Sequence, residues 1–209
     1  MHTKEELAQL AHLETKLALC DALEILLQQE PIDKVSVSKI CQQAGISRAT
    51  FYRIFQDKYE IVQWSIMYIH AKGVNQIGRT LNWEDGYYES EKSILRHKDF
   101  FTQAAKSNDY NSLDFFTPRA RKKILVKTVT EYYHREITPQ MSFMIDTAVD
   151  IETKAFPNWA AGKYDCSLRE MCTWVAQSIP SELFNLLNVP LSEQNNPSNY
   201  SHFLLGKGF

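Results

Sequence analysis

The side chains best suited to bind another molecule lie along a short predicted helix that begins at Arg48. Ile54 and Phe55 lie three and four residues after Phe51, so these three share one face, which we expect to pack against a core. The opposite face carries a small, polar and basic set: Ala49, Tyr52 and Arg53, with Arg48 and Thr50 at its borders. Arginine can bind guanine edges through two hydrogen bonds, threonine can contact the thymine methyl group, and alanine permits close approach. This face is therefore predicted to enter a DNA major groove.

Neighbouring residues are suited to the DNA backbone. Tyr52 and Lys58 are predicted to bind phosphates, contacts that position a protein without reading the base sequence. Ser36 and Ser47 are predicted to cap two short helices, whose first amide groups point outward and can bind further phosphates. The candidate DNA-binding set thus extends on both sides of the helix that begins at Arg48.

Charge is distributed unevenly along the chain of 209 residues. It carries 23 basic and 25 acidic side chains, and this net charge of -2 by itself argues against nucleic-acid binding. Between Lys34 and Lys58, however, five basic side chains are accompanied by one acid, Asp57, which gives a local net charge of +4. The net charge of the whole chain therefore does not exclude DNA binding. The small size of the basic segment predicts a modest nonspecific affinity for DNA that depends strongly on salt.

A helix-turn-helix must hold these side chains. Ser36 or Ser38 is predicted to begin one short helix, and Gly45 supplies the left-handed corner that commonly ends a helix. Ser47 then begins the second. An opening helix supplies the surface on which they pack, because an apolar stripe recurs along it at helical spacing: Leu19, Ala22, Leu23 and Leu26. It is predicted to end at Glu30-Pro31, since proline disfavours helical geometry in the preceding residue.

The segment 36–62 resembles the DNA-binding signature of the tetracycline-repressor (TetR) family of bacterial regulators. The matching residues are Val37, Ile40, Ala44, Gly45, Ile46, Ser47, Thr50, Phe51, Tyr52, Phe55, Lys58 and Ile61. Cys41, Ala49 and the corner Glu30-Pro31-Ile32 depart from the family pattern. The resemblance implies an all-helical homodimer with a small amino-terminal DNA-binding domain and a larger carboxy-terminal domain for ligand and dimer contacts.

The rest of the chain shows helical spacing and no sustained alternation of period two, so we predict an all-α fold. A helix opening at Asp57 is predicted to run to about Thr80 and to connect the two domains. The further predicted helices are 84–106, 117–136, 139–161, 167–178 and 181–188. The predicted domains are a helix-turn-helix domain at 1–56, the connecting helix at 57–80, and a helical ligand-binding and dimerisation domain at 81–209.

Two segments of the larger domain, 94–107 and 159–170, loosely resemble TetR-like regulators related to activators of dihydroxyacetone kinase operons. In such domains the last two long helices of each subunit form a four-helix dimer bundle. The resemblance places the dimer contacts on the predicted helices 139–161 and 167–178. The predicted interface residues are Met144, Ala148, Ile151, Met171, Trp174 and Val175. Dimerisation is also reasonable because paired DNA half-sites need two reading helices.

A ligand pocket is a further implication of the family. The candidate lining residues are aromatic: Trp64, Tyr68, Phe100, Phe101, Tyr132 and Phe143. The alternative interpretation is that aromatic residues at helical spacing form an ordinary core. The residues do not identify a ligand.

Few residue patterns in the rest of the chain indicate metal binding or catalysis. The six histidines show no metal-ligand spacing, so we expect no metal and no cofactor. Asp146 and Asp150 share a helix face without a nucleophile or base motif, and we expect no enzyme. Four basic residues cluster at 119–123 and are interpreted as the polar start of a helix, with DNA or an anionic ligand as the alternative. The first residues lack a secretory signal and the cysteines are few and scattered, so we expect a cytoplasmic protein with free thiols.

These observations predict a sequence-specific DNA-binding transcriptional regulator. We expect a homodimer that represses at a palindromic double-stranded operator and is released by an unknown small-molecule effector. One alternative is an activator or co-regulator controlled by a partner protein. Another is a small-molecule-binding protein or enzyme with a vestigial helix-turn-helix.

Overall fold

Helices supply nearly all the regular structure in a computed structural model of the chain, which describes residues 4–107, 109 and 112–188. The described α-helices are α1 (Lys4–Leu27), α2 (Val37–Ala44), α3 (Arg48–Ile54), α4 (Lys58–His70), α5 (Trp83–Arg96), α6 (Lys98–Ala104), α7 (Leu113–Lys127), α8 (Pro139–Ala160), α9 (Leu168–Ser178) and α10 (Ser181–Leu187). Only an isolated bridge between Ile77 and Leu81 resembles a strand pairing in these residues. The all-α prediction is confirmed.

The chain folds into two compact units. Among the described residues, the first unit comprises 4–68 and those within 97–116, and the second comprises 69–96 and 117–188. The predicted domains followed the chain in order, whereas the second unit is assembled from two separated stretches. Local helical patterns carry no information about which unit a helix joins, so this division was invisible in the sequence.

The helix-turn-helix of the first unit forms as predicted from its caps. The Ser36 side chain accepts a hydrogen bond from Lys39 N, and the Ser47 side chain accepts one from Thr50 N. Gly45 adopts φ 68° at the end of α2. The predicted apolar stripe of α1 lies in the core, where Leu19 and Leu23 are fully buried together with Phe51 of α3. Capping therefore sets the helix ends, and burial sets the orientation of α3.

Substitution of Gly45 tests whether the corner between α2 and α3 depends on a left-handed backbone conformation. A Cβ atom added there would meet nothing within 4 Å, so steric contact does not contribute. Gly45→Ala is expected to lower the free energy of unfolding by about 1–2 kcal/mol, since only the left-handed backbone conformation opposes it. Gly45→Asn should lose less, because asparagine tolerates this conformation better. Urea denaturation followed by circular dichroism measures both variants, and equal losses for alanine and asparagine would contradict the explanation.

Two predicted helix ends are wrong. The helix α4 ends at His70, ten residues before the predicted Thr80. Gly73 then approaches α5 so closely that a Cβ atom there would lie 2.2 Å from Ser90 Oγ, and the chain turns at this point. The predicted helix 84–106 breaks at His97, where φ is -117° and ψ is 32°. No proline or glycine marks that break. The His97 ring instead lies 3.0 Å from Glu24, a contact made only in the folded chain.

The core of the second unit is built from α5, α7, α8, α9 and α10. Trp83 and Tyr87 of α5 are fully buried, and Ile145 and Leu183 pack in the same cluster. Its interior also holds an ion pair between Arg121 of α7 and Glu152 of α8. The predicted helix 117–136 begins earlier, at Leu113, and continues beyond Lys127 as a π-helical turn, Thr128–Tyr132.

Candidate DNA-binding site

The face of α3 predicted to enter DNA is open to solvent. Phe51 and Phe55 are 0% and 2% exposed, so they anchor the helix and its extension in the first unit. The polar face comprises Ser47, Arg48, Ala49, Tyr52 and Arg53, all exposed, with Thr50 half-buried at its edge. One helix therefore carries a buried aromatic side and an exposed basic side, as the spacing predicted.

Local contacts give this face a defined shape. The Arg48 guanidinium lies 5.9 Å from the ring centre of Tyr52, and the Tyr52 ring packs edge-on against Phe51 at 5.3 Å. The Ser47 hydroxyl donates to Thr50 Oγ1 at 3.0 Å, in addition to capping the helix. Buried Phe51 thus supports Tyr52, and Tyr52 lies beside Arg48. Both guanidiniums stand outside the core, where they can form bidentate contacts with guanine or phosphate.

Two of the basic residues near α3 have their charged groups engaged within the protein. Lys39 forms an ion pair with Glu30 at 2.5 Å, so part of its charge is neutralised within the protein. Lys58 Nζ donates to the carbonyl oxygens of Asp33 and Val35, both at 2.9 Å. Two of its three N–H bonds are therefore used on the backbone. Within the protein its side chain holds the turn that precedes α2, and its phosphate contact stays a prediction.

Residues 19–63 match the family described as bacterial regulatory proteins, tetR family. This segment is similar to the DNA-binding domain of the TetR family. The matched residues include the whole of α2 and α3, and with them the exposed face that begins at Ser47. DNA binding is the function of this domain type, and it agrees with the chemistry of that face.

Two relatives extend the comparison beyond the TetR-family domain. The HTH-type dhaKLM operon transcriptional activator DhaS of Lactococcus lactis subsp. lactis (strain IL1403) is 31% identical over 91 residues. These residues are 41% of this chain and 49% of DhaS, so the match spans about half the length of that relative. A solved structure of the dihydroxyacetone kinase operon activator DhaS covers 84% of this chain and 98% of its own, with a TM-score of 0.58 and 16% identity.

A TetR family repressor, AlkX from Dietzia sp. strain DQ12-45-1b, has a similar fold. It covers 81% of this chain and 98% of its own, with a TM-score of 0.52 and 15% identity. At such identities the two solved structures establish a shared fold and nothing finer. The carboxy-terminal resemblance predicted from the sequence is consistent with this fold.

The six predicted ligand residues are divided between the two units. In the first unit Trp64 stacks on Tyr68 at 5.1 Å, while Phe100 and Phe101 form a buried pair with ring centres 5.0 Å apart. In the second unit the Tyr132 ring lies under the guanidinium of Arg79 at 4.2 Å. Phe143, also in the second unit, is 70% exposed. Helical spacing does not show which side chains each of these aromatic residues packs against.

The predicted dimer residues also divide by exposure. Met144, Ala148, Met171 and Val175 are 0–6% exposed within the single chain, where they belong to the core of the second unit. Their place in a dimer interface stays a prediction, and within the single chain they already pack in this core. Trp174 of α9 is 47% exposed, and Ile151 of α8 is partly buried. These two remain candidates for an interface.

The structure revealed a polar cluster that sequence reasoning missed. Asp33, in the turn after α1, accepts hydrogen bonds from the hydroxyls of Tyr59 and Ser107. These two bonds, Ser107 first, hold the pKa of the Asp33 carboxyl below its usual range. Ser107 lies 74 positions from Asp33 in the chain. No local pattern could have paired them.

The basic cluster at 119–123 is also reinterpreted. Arg121 is 3% exposed and paired with Glu152, and Lys122 is paired with Asp146 at 2.5 Å. Two of the four basic side chains in this cluster are therefore paired with carboxylates within the protein. Across the described ranges 4–107, 109 and 112–188, no three His, Cys, Asp or Glu side chains converge as metal ligands would. In the same part of the chain no helix is long and apolar enough to cross a membrane.

Proposed function

We propose that this protein is a sequence-specific transcriptional regulator that binds a palindromic operator as a homodimer. The observation that carries the proposal is the face of α3, which exposes Arg48, Ala49, Tyr52 and Arg53 while Phe51 is fully buried. The TetR-family match over the same residues supports it. Such a regulator works in the cytoplasm, where bacterial DNA lies.

A dimer follows from the small footprint of one reading helix. Two copies of α3 related by a two-fold axis bind half-sites about 34–36 Å apart, which is one turn of DNA. The paired contacts raise both affinity and specificity over those of a single helix. A monomer is therefore expected to bind poorly, and the operator is expected to be palindromic.

The proposed direction of control is repression relieved by a small molecule. An effector that prefers a different spacing of the two reading helices lowers operator affinity by the difference between its affinities for the two states. The description of AlkX as a repressor agrees with this direction. The second candidate is activation, with a partner protein as the effector, and the description of DhaS as an operon activator favours it.

DNA retardation with the full chain tests the proposal. The probe is a fragment from upstream of the protein's own gene, at low salt, against a coding fragment of equal length. Preferential retardation of the upstream fragment is expected, with a footprint that shows two-fold symmetry. A reporter fused to the same fragment then separates repression from activation. Equal retardation of both fragments across all salt concentrations would overturn sequence-specific regulation.

The proposed dimer makes a prediction about Trp174. Trp174→Arg is expected to weaken dimerisation at least about 30-fold, because loss of a central aromatic contact costs about 2 kcal/mol or more. Sedimentation equilibrium should then show the 24.2 kDa monomer at concentrations where the wild type has twice that mass. Leu10→Arg, which alters a 46% exposed leucine of α1, is the matched control and should remain dimeric. A dimeric Trp174→Arg variant would remove α9 from the interface.

A further inference from the structure

We propose that Asp33 is a positioning residue for DNA recognition, which orients α2 and α3 through hydrogen bonds to Tyr59 and Ser107. The proposal rests on the DNA-binding function proposed above. Asp33 itself need not touch DNA. It acts through the turn in which it lies and through the two hydroxyls that its carboxylate binds.

The turn leads directly into the first helix of the helix-turn-helix. Residues Ile32–Lys34 form a single 3-10 turn, and Ser36, the cap of α2, follows two residues later. Ile32 and Val35 are each 1% exposed, so both ends of the turn are anchored in the core of the first unit. Asp33 lies between these anchors. A change in the turn is therefore transmitted to the start of α2.

Four hydrogen bonds converge on this turn. Asp33 Oδ1 accepts from Tyr59 Oη at 2.8 Å and from Ser107 Oγ at 2.6 Å. The carbonyl oxygens of Asp33 and Val35 accept from Lys58 Nζ at 2.9 Å. The first turn of α4 thus supplies two donor side chains, and the chain beyond α6 supplies the third. Hydrogen bonds to a charged acceptor are stronger than neutral ones, so the carboxylate is the strongest acceptor in the set.

Loss of the carboxylate would leave Ser107 in an unfavourable position. Ser107 is 4% exposed, and its hydroxyl also accepts a hydrogen bond from Asp109 N at 3.2 Å. Without Asp33 the buried hydroxyl proton has lost its acceptor, which carries a desolvation cost. Relief of that cost requires movement of the turn or of the segment beyond α6. Either movement changes the geometry that places α3 for its DNA contacts.

A purely electrostatic role of Asp33 and a positioning role predict opposite changes in operator affinity for Asp33→Ala. Removal of an acid near a DNA-binding face should strengthen binding if charge alone matters, because fewer like charges oppose the phosphates. Positioning predicts instead that operator affinity falls about tenfold, equivalent to about 1.4 kcal/mol. Asp33→Asn keeps an oxygen that accepts from both hydroxyls, so it should retain operator affinity within about threefold of the wild type. Affinity for an unrelated duplex should not fall in either variant.

The experiment measures operator and unrelated-duplex affinity for the full chain by fluorescence anisotropy at one salt concentration. Asp21→Ala, which removes an exposed acid of α1, controls for net charge and should bind the operator no more weakly than the wild type. Ser107→Ala probes the same contact from the other side without a change in charge. It is expected to reduce operator affinity several-fold and leave the unrelated duplex unaffected, and it remains decisive if Asp33→Ala fails to fold.

The outcomes separate the two proposals. If the wild type binds no operator, the proposed function fails. If the wild type binds and the Asp33→Ala variant binds as tightly or more tightly, Asp33 is not a positioning residue. Equal affinities for the alanine and asparagine variants overturn the inference in the same way, as does a Ser107→Ala variant with wild-type operator affinity.

Discussion

The Arg48→Ala/Arg53→Ala double variant is expected to lose operator binding by roughly 30-fold to more than 10⁴-fold. A bidentate arginine contact to guanine contributes about 1–3 kcal/mol of discrimination, and a homodimer loses at least one such contact in each half-site, or about 2–6 kcal/mol in all. Both side chains are exposed, so their removal should leave the fold intact. The change in affinity therefore reports on the interface with DNA.

Retardation and anisotropy titrations with the operator fragment measure this loss, and circular dichroism checks that the variant is folded. Arg96→Ala is the matched control, because Arg96 is an exposed arginine at the end of α5, outside the helix-turn-helix. It should bind as the wild type does. If the double variant and the control have the same operator affinity, α3 is not the reading helix and the regulator proposal loses its main support.

The second large effect is expected at Glu152, in the interior of the second unit. Its carboxylate accepts from Arg121 Nε at 2.7 Å, from Arg121 Nη2 at 3.0 Å and from Tyr87 Oη at 2.8 Å. Arg121 Nη1 donates to the carbonyl oxygen of Val74 at 2.9 Å. Glu152→Gln removes the charge that balances a guanidinium only 3% exposed. Breaking a buried ion pair from one side costs about 3–5 kcal/mol, so the urea midpoint should fall steeply.

Two comparisons locate the origin of that loss. Lys154→Ala breaks an exposed ion pair with Asp150 on the same helix, and it should change the free energy of unfolding by about 0.5 kcal/mol or less. The double variant Arg121→Met/Glu152→Met removes both buried charges, and it should recover much of the stability lost in Glu152→Gln. A Glu152→Gln variant with the wild-type urea midpoint would show that the pair contributes little to folding.

Much of the DNA-binding domain could be predicted because its determinants are local. Ser36, Gly45 and Ser47 set helix ends through contacts within a few residues, and the spacing of Phe51 and Phe55 decides which side of α3 is buried. For Lys58, local sequence patterns did not predict the contacts that its side chain makes. Its position next to the reading helix suggested a phosphate contact, but its ammonium binds carbonyl oxygens 23 and 25 positions away.

The second unit was less predictable because its helices choose partners far along the chain. A stripe that contains Met144, Ala148, Met171 and Val175 must be buried somewhere, and helical spacing does not distinguish the subunit's own core from a partner's surface. In the folded chain all four are already covered, and the dimer contacts expected of them stay a prediction. The break at His97 has the same character, because no residue there disfavours a helix strongly enough to mark it.

By itself the sequence determined the helical class, the helix-turn-helix and the identity of the exposed side chains on α3. Those features depend on capping, turn geometry and periodic burial, all of which act over a few residues. Only the tertiary structure decided that Ser107 binds Asp33, 74 positions away, and that Arg121 is paired in the core with Glu152, 31 positions away. A hydrogen bond or ion pair forms between whichever groups the folded chain brings within about 3 Å, and spacing along the sequence does not encode that proximity.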